Sequence, residues 1–206
     1  MKSFLPFLCT FFSTLWGLPI TLELVEKDSA RVEETIDAIL EMQKSLLLPL
    51  ELTECPDSAQ TGFLTIEMTH TYLRELLHSG KFLIAFYEDQ PVGYLLLDKI
   101  DSYLQWVKGK HFASEWDLQT LRQINYIDQI AVVRKYAKHG IGTALVDYAK
   151  KLSPQGILAD ILSAPYPNQA SMHFFAAQKF IELGILQVEK TAKYPAHAVA
   201  IMLWLP

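Results

Sequence analysis

The spacing of apolar and polar residues predicts strands and helices in alternation along this chain. Apolar residues alternate from Thr21 to Val25, which is typical of a half-buried strand. The same reasoning then predicts a helix that carries Val32, Ile36, Ile39 and Leu40 and is capped by Asp28 or Ser29, followed by a helix from Thr69 to Leu77 that ends at Gly80. A hairpin of Lys81–Tyr87 and Pro91–Asp98 follows. The rest of the chain is predicted to form a strand over 123–132, a helix over 140–152, a strand over Ile157–Leu162, a helix over 169–178, and strands near 181–189 and 197–204. This order predicts an α+β domain built on a central mixed sheet.

Two stretches interrupt this pattern. Residues 50–62 are predicted to form a surface loop, and residues 101–122 an insertion rich in aromatic residues, among them Tyr103, Trp106 and Trp116. Such side chains either shape a binding pocket or pack in the core, and the sequence leaves both interpretations open.

The segment over 127–145 carries the pattern with the clearest chemical meaning. An apolar strand leads into a short basic loop that contains Gly140 and Gly142, and this loop opens a helix. The unpaired amide groups and partial positive charge of a helix N-terminus attract phosphate, and glycine lets the phosphate approach closely. Lys138 and His139 add positive charge. The pattern is neither a Walker loop nor a dinucleotide fingerprint, so this segment alone leaves open a phosphate site or a plain structural turn.

Several motifs of the chain resemble those of the GNAT (GCN5-related N-acetyltransferase) superfamily. The loop Ala137–Gly142, which follows a strand ending at Val132, is similar to the family's cofactor motif. The block Pro167–Phe180 resembles the family's Pro-Asn-x-x-Ser-x-x-Phe-x-x-x-x-Gly-Phe pattern. The family's early strands are matched at Thr61–Leu64, Phe82–Phe86 and Pro91–Leu95. The resemblance implies one GNAT-like α+β domain over residues 20–206, with a central mixed, mostly antiparallel β-sheet flanked by helices, after an apolar N-terminal extension over residues 1–19.

The resemblance implies an acetyl-CoA-dependent N-acetyltransferase that transfers an acetyl group directly to a primary amine, of a small molecule or a peptide, in a ternary complex. In the family, the strand before the loop splays from its neighbour, so that its backbone pairs with the pantetheine arm while the loop amides hold the pyrophosphate. The cofactor-binding residues implied in this way are Ile130, Ala131, Val132, Ala137, Lys138, His139, Gly140, Ile141, Gly142, Thr143, Asn168 and Phe175. For Asn168, an Asx turn after Pro167 is the structural alternative.

Asp128 is the candidate general base. It lies four residues before Val132, where many members of the family carry an acidic residue in that role. A free aspartate titrates near about 3.9 and an alkyl amine near about 10, so such a base acts through water or with a pKa raised by burial. The alternative is a polar residue on the solvated face of a strand, a face that Tyr126 shares.

Three positions depart from the family pattern. Phe175 stands where many relatives carry a tyrosine that protonates the leaving thiolate, and His173 and Tyr166 lie nearby in sequence. Ala137 replaces the usual arginine or glutamine of the loop. Lys179 replaces a glycine, which costs on the order of 1 kcal/mol if this position has a positive φ. The alternative function is therefore a catalytically impaired acyl-CoA-binding sensor or scaffold.

Composition argues against several other classes of protein. The chain of 206 residues has a net charge of −5 and no long basic run, which argues against nucleic-acid binding. Its two cysteines, Cys9 and Cys55, show neither metal-binding nor redox spacing. We therefore expect no metal site and a reduced, cytoplasmic protein.

Residues 1–19 are unusual because Lys2 precedes an apolar run from Phe4 to Leu18. Three interpretations remain open. The segment packs on the domain or on a partner subunit, in which case a homodimer is expected; it targets a membrane; or it is an artefact of the assigned start site. The run is short for a membrane span and contains Pro6 and Gly17, which disfavours a span and leaves membrane association open.

Overall fold

The computed structural model describes residues 11–13, 19–49, 62–113, 121–191 and 194–206. Within them, the secondary-structure elements in chain order are β1 (Phe11–Ser13), β2 (Ile20–Val25), α1 (Val32–Lys44), α2 (His70–Ser79), β3 (Lys81–Tyr87), β4 (Gln90–Lys99), α3 (Ile100–Val107), β5 (Phe112–Ala113), β6 (Asn125–Val132), a short 3-10 turn (Arg134–Tyr136), α4 (Ile141–Leu152), β7 (Ile157–Ala164), α5 (Gln169–Ala177), β8 (Ile181–Val188) and β9 (His197–Trp204).

The strands form one sheet in the order β1-β2-β3-β4-β6-β7-β9-β8-β5. Neighbouring strands are antiparallel except β6 and β7, which run parallel. A parallel pair requires a crossover connection, and α4 supplies it between β6 and β7. The predicted α+β fold with a mixed, mostly antiparallel sheet is therefore what the chain adopts.

The two faces of the sheet are covered by different helices because successive residues of a strand point to opposite sides. On one face, Leu83 of β3 packs in a core with Leu145 and Ala149 of α4. On the other face, the adjacent Phe82 packs with Ile39 of α1 and with α2. Helix α3 completes a third core with β8 and β9, whose members include Leu104 and Ile201. All of these side chains except Leu104, which is 5% exposed, are completely buried.

The prediction for the cap of α1 is wrong, and the structure adds detail to the two stretches that interrupt the pattern. Helix α1 begins after Arg31 without a side-chain cap, so neither Asp28 nor Ser29 caps it, and Ser29 instead accepts a hydrogen bond from the Arg31 amide at 3.2 Å. Residues 101–122, predicted as an insertion, hold most of α3 and then β5. Trp116 and nearly all of the predicted loop over 50–62 lie outside the described residues.

Part of the predicted N-terminal extension joins the sheet. Strand β1 pairs antiparallel with β2, with Phe11 opposite Leu22 and Ser13 opposite Ile20. Residues 1–10 and 14–18, including Cys9, lie outside the described residues. The division of the chain at residue 19 stays a prediction. None of the described helices is both long enough and apolar enough to cross a membrane.

Two irregularities of β6 open the sheet at its middle. Its parallel pairing with β7 covers Asn125 to Ile127 opposite Ile157 to Ala159 and then ends. On its other edge, Leu96 of β4 pairs with Gln129 and Leu97 pairs with Ile127, so that Asp128 is the extra residue of a β-bulge. Among the described residues, no strand pairs with the last residues of β6 on its β7 side, and Asp128 lies where β6 and β7 part.

Candidate active site

The end of β6, the loop after it and the start of α4 line a groove of about 380 Å³, which we call the loop groove. Nine of the twelve residues predicted to bind the cofactor lie along it: Ile130, Ala131, Val132, Ala137, Lys138, Gly140, Ile141, Gly142 and Thr143. The backbone of the loop turns sharply, because Lys138 has a φ of 65° and Gly140 a φ of 77°. The sequence-predicted loop is therefore brought to the unpaired edge of β6.

The N-terminus of α4 opens into this groove without a side-chain cap. Gly140 is the capping residue, and it has no side chain that could occupy the first amide groups of the helix. These amides and the helix dipole therefore favour an anion here. Two nearby groups stabilise the loop rather than fill the groove: the His139 ring nitrogen Nδ1 lies 2.9 Å from the Ala137 carbonyl oxygen, and the Val133 amide donates to the Val92 carbonyl at 2.9 Å.

Gly142 allows the close approach of α4 and α5. A Cβ atom at this position would lie 3.2 Å from both Cε2 and Cζ of Phe174, which is tighter than most real contacts. Phe174 lines the groove together with Ala170 and Ser171, and the sequence reasoning missed all three as groove residues. Ala170, Ser171 and Phe174 are one, three and four residues apart, and this spacing places them on one side of α5. The spacing was visible in the sequence and could have identified them as a shared surface.

The structure places three predicted cofactor residues outside the lining of the loop groove. His139 is engaged with the loop backbone. Asn168 caps α5 by accepting from the Ser171 amide at 3.2 Å, and its side chain donates to the Phe63 carbonyl at 3.0 Å. Phe175 is buried and packs edge-on against Phe180, with 4.9 Å between ring centroids. Asn168 and Phe175 instead line the neighbouring cavity.

A larger cavity of about 1000 Å³, which we call the carboxylate cavity, adjoins the loop groove. Its walls come from α2, α3, β4, β6, β7, α5, β8 and β9 and from loops between elements, and they include the carboxylates of Asp98, Asp128 and Asp160. The cavity and the groove share four lining residues, namely Phe63, Leu64, Ile130 and Ser171. Two ligands bound in the two spaces therefore meet beside Ile130, at the free edge of β6.

Asp128 lies half-buried in the wall of the carboxylate cavity. The Tyr72 hydroxyl of α2 lies 3.3 Å from each of its carboxylate oxygens and donates to the carboxylate. Burial, followed by the negative charge of Asp160, raises the pKa of Asp128 to about 7, and the Tyr72 hydrogen bond opposes this rise. A group with this pKa is poised to take a proton near neutral pH.

Asp160 and Asp98 flank Asp128. Asp160 accepts a hydrogen bond from the Tyr126 hydroxyl at 2.7 Å, and burial raises the pKa of Asp160. Asp98 accepts from the Ser79 hydroxyl at 2.7 Å and from the Lys99 amide at 2.7 Å. No group of three or more potential metal ligands with suitable geometry was found among the residues that the structure describes.

Neither sequence candidate for a general acid lines the loop groove. The Tyr166 hydroxyl donates to the Pro49 carbonyl, and its ring is buried against Phe63. His173 lies on the exposed side of α5. Among the described residues, Ser171 is the one hydroxyl-bearing residue that lines both the groove and the cavity.

The amino-acid sequence also matches a protein-family model, which identifies the family of the chain. Residues 47–180, more than half of the chain, match the acetyltransferase (GNAT) family. The chain belongs to the GNAT family. The family, the fold class and the acyltransferase class predicted from the sequence are thus confirmed.

Several solved structures share this GNAT fold. NAA60 from Arabidopsis thaliana, in complex with acetyl-CoA, is 11% identical over 91% of this chain and 99% of that chain, with a TM-score of 0.60. The ribosomal-protein-S18-alanine N-acetyltransferase from Escherichia coli is 11% identical over 91% and 93%, with a TM-score of 0.58. An N-acetyltransferase from Staphylococcus aureus is 14% identical over 90% and 96%, with a TM-score of 0.59. No curated protein sequence matches this GNAT chain significantly.

Proposed function

We propose that this GNAT protein transfers an acetyl group from acetyl-CoA directly to a primary amine, with Asp128 as general base. The observation that carries the proposal is the junction at Ile130: the loop groove and the carboxylate cavity meet there, and Asp128 lies in the bulge beside it. In this arrangement the loop groove takes the acetyl-CoA and the carboxylate cavity takes the amine. A NAA60 structure with acetyl-CoA bound shares the fold.

The loop groove matches the needs of the CoA phosphates and arm. The uncapped amides of α4 bind the pyrophosphate, and Lys138 replaces the charge that Ala137 lacks. The edge of β6 that β7 leaves free offers the backbone groups of Ile130 to Val132 to the pantetheine amides. Both contacts position the thioester rather than activate it, which brings it within reach of the amine.

The transfer itself requires a neutral amine. The Asp128 carboxylate takes a proton from the ammonium, directly or through one water, and the free nitrogen attacks the thioester carbonyl carbon. The carbon–sulfur bond then breaks, and the departing CoA thiolate takes up a proton from the amide nitrogen or from solvent. The Ser171 hydroxyl, which borders both spaces, donates a hydrogen bond to the charge that develops on the thioester.

The absence of an ionisable side chain at Phe175 supports a second candidate, a catalytically impaired acyl-CoA-binding sensor or scaffold. Tyr166 and His173 do not line the loop groove, so neither takes the place of the missing acid. A thiolate is a tolerable leaving group, however, and the raised pKa of Asp128 has no use in a protein that only binds acyl-CoA. We therefore place transfer ahead of sensing. A cytoplasmic location and a homodimer also remain part of the proposal.

Release of free CoA from acetyl-CoA in the presence of a panel of primary amines tests the function. We expect release that depends on the amine, with acetylated product in equal amount by mass spectrometry. Calorimetric binding of acetyl-CoA with no transfer to any amine would support the sensor instead. Absence of acetyl-CoA binding by the folded protein would remove both candidates.

A further inference from the structure

The carboxylate cavity has more negative charge than a general base requires. Asp128 alone suffices to deprotonate an amine, yet Asp98 and Asp160 line the same cavity. None of the ion pairs found among the described residues includes any of the three, although Lys108, Lys110 and Lys190 also line the cavity. Lys110 is held instead by the Trp106 carbonyl and lies over its ring, 4.4 Å from the centroid. The positive charge of His197, which also lines the cavity, acts on Asp160 without forming one of these ion pairs. Within the described part of the chain, the three carboxylates thus have no ion-pair partner, and a cationic ligand would supply one.

The sheet places Asp128 and Asp160 side by side. The parallel register pairs Ile127 with Ala159, so the next position on each strand is Asp128 on β6 and Asp160 on β7. Both residues share the face of Tyr126, whose hydroxyl donates to Asp160. Pairing ends at this point, so the backbones of β6 and β7 part beyond the Ile127–Ala159 pair. Two neighbouring carboxylates on separate strands suit two cationic groups of one small molecule.

Tyr103 of α3 points independently to a polar ligand. Tyr103 is 4% exposed and lines the cavity, and its buried hydroxyl has no hydrogen-bond partner among the residues that the structure describes. Buried hydroxyls without partners are rare in native proteins. The Tyr103 ring stacks on Tyr126 with 4.3 Å between centroids, which brings Tyr103 beside the Tyr126–Asp160 pair. A tyrosine hydroxyl accepts a hydrogen bond from an ammonium group.

The remaining walls also suit an organic cation. Tyr72, Trp106 and Ile66 are three of the five large apolar side chains that are exposed among the described residues, and all three line this cavity. Aromatic faces attract alkylammonium groups and cover the carbon chain between them. The cavity thus combines carboxylates, an unpartnered hydroxyl and aromatic surface at one end of the acceptor space.

We propose that the acceptor carries two cationic nitrogens: Asp128 deprotonates one for transfer, while Asp160 and Tyr103 hold the other. The proposal rests on the proposed acetyl transfer and names its substrate class, a diamine or polyamine. The second nitrogen stays protonated and fixes the distance of the first from the thioester. Only one end of the molecule is acetylated in each binding event, and the acetylated nitrogen loses its positive charge.

A matched pair of amines tests this directly. Putrescine and n-butylamine have the same carbon chain and differ in the second nitrogen. With saturating acetyl-CoA, we expect kcat/KM for putrescine to exceed that for n-butylamine about tenfold or more, the size expected for one charge-assisted hydrogen bond. Equal values for the two amines overturn the proposal and leave an acceptor with a single amine.

Two variants locate the second nitrogen. In Asp160→Asn and in Tyr103→Phe, we expect the putrescine to n-butylamine ratio to fall towards one. Tyr103→Phe removes only a hydroxyl that has no partner in the described part of the chain, so we expect the variant to keep its packing and to fold. The control is Asp37→Asn, on the exposed side of α1, in which the ratio stays as in the wild type. A preference for putrescine that survives both variants overturns the roles of Asp160 and Tyr103.

Calorimetric titration of the same two amines, in the presence of CoA, gives the comparison without turnover. If neither amine is acetylated while putrescine binds more tightly through Asp160, the proposed transfer fails and the diamine site stands. If n-butylamine is acetylated as well as putrescine and binds equally, transfer stands and the diamine site fails.

Discussion

The loop groove and the carboxylate cavity share a wall at Ile130, yet the chain builds them in different ways. The groove is formed mainly by one continuous segment, residues 130–143, and offers backbone amides and an open strand edge. The cavity is formed by residues from eight separate helices and strands, and its chemistry is that of carboxylates and aromatic rings. A scaffold that fixes one substrate through backbone and the other through side chains can change its acceptor while it keeps its donor.

The largest effect should come from the cavity side, at Asp128. Removal of a general base costs on the order of 100- to 10,000-fold in rate, so we expect Asp128→Asn to lower kcat by that range while acetyl-CoA affinity is kept. In the wild type, kcat should rise with pH through about 7 and level off above it, since only the carboxylate accepts a proton. The Asp128→Asn variant should lack this rise of kcat with pH. Steady-state kinetics between pH 5 and 9 checks both expectations.

The pH dependence of protein stability gives an independent measure of the raised pKa of Asp128. The folded protein raises the pKa of Asp128 to about 7, above its ordinary value of 3.8, so the folded state binds the extra proton between these two pH values. The free energy of unfolding of the wild type therefore falls as pH rises through this window, and this loss of stability is complete above about pH 7. Asp128→Asn should be more stable by on the order of 1–3 kcal/mol at pH 8 and nearly neutral at pH 4. A destabilised variant at pH 8 would assign Asp128 a structural role.

The two regions also differ in how far the sequence could predict them. The loop over 137–143 depends on residues that are neighbours in the sequence, so the glycine spacing and the start of the helix were sufficient to predict its position. Asp128 was proposed as the base from its motif position, but its neighbours were not predicted, because Tyr72 lies 56 residues away and the Tyr126–Asp160 pair spans 34 residues. Only the tertiary fold brings them together. The start of α1 also involves a contact to another element, since the guanidinium of Arg31, the residue before the helix, pairs with Glu23 on β2 at 2.5 Å.

On the groove side, the sharpest change is Gly142→Trp. The indole would fill the groove in front of the α4 amides, which removes at least two hydrogen bonds to phosphate, so we expect acetyl-CoA affinity to fall about 100-fold or more. Gly142→Ala is the matched control, because its Cβ needs only a small shift of the Phe174 ring end. Calorimetric titration of the wild type and the two variants with acetyl-CoA measures the three affinities. Unchanged affinity in the tryptophan variant would place the cofactor elsewhere.

Ser171 belongs to both regions and should show an intermediate effect. Loss of one hydrogen bond to developing charge costs about tenfold, so Ser171→Ala should lower kcat by about that factor with little change in acetyl-CoA binding. Ser171→Thr keeps a hydroxyl and should retain most of the rate. A larger KM for acetyl-CoA with unchanged kcat would assign Ser171 to the groove alone.

The smallest effect is expected at Lys179, which lines neither the loop groove nor the carboxylate cavity. The residue follows Gln178, the C-cap of α5, with a φ of 65°, the left-handed conformation that glycine adopts without strain. Lys179→Gly should therefore stabilise the protein by about 1 kcal/mol, or about 2–4 °C in Tm for a chain of this size, as differential scanning calorimetry would show. Because its backbone conformation is retained, kcat and acetyl-CoA affinity should stay as in the wild type. Lys179→Ala, which keeps the strain and removes the same charge, is the control, and equal stability of the two variants would show that charge rather than backbone strain sets the cost at this position.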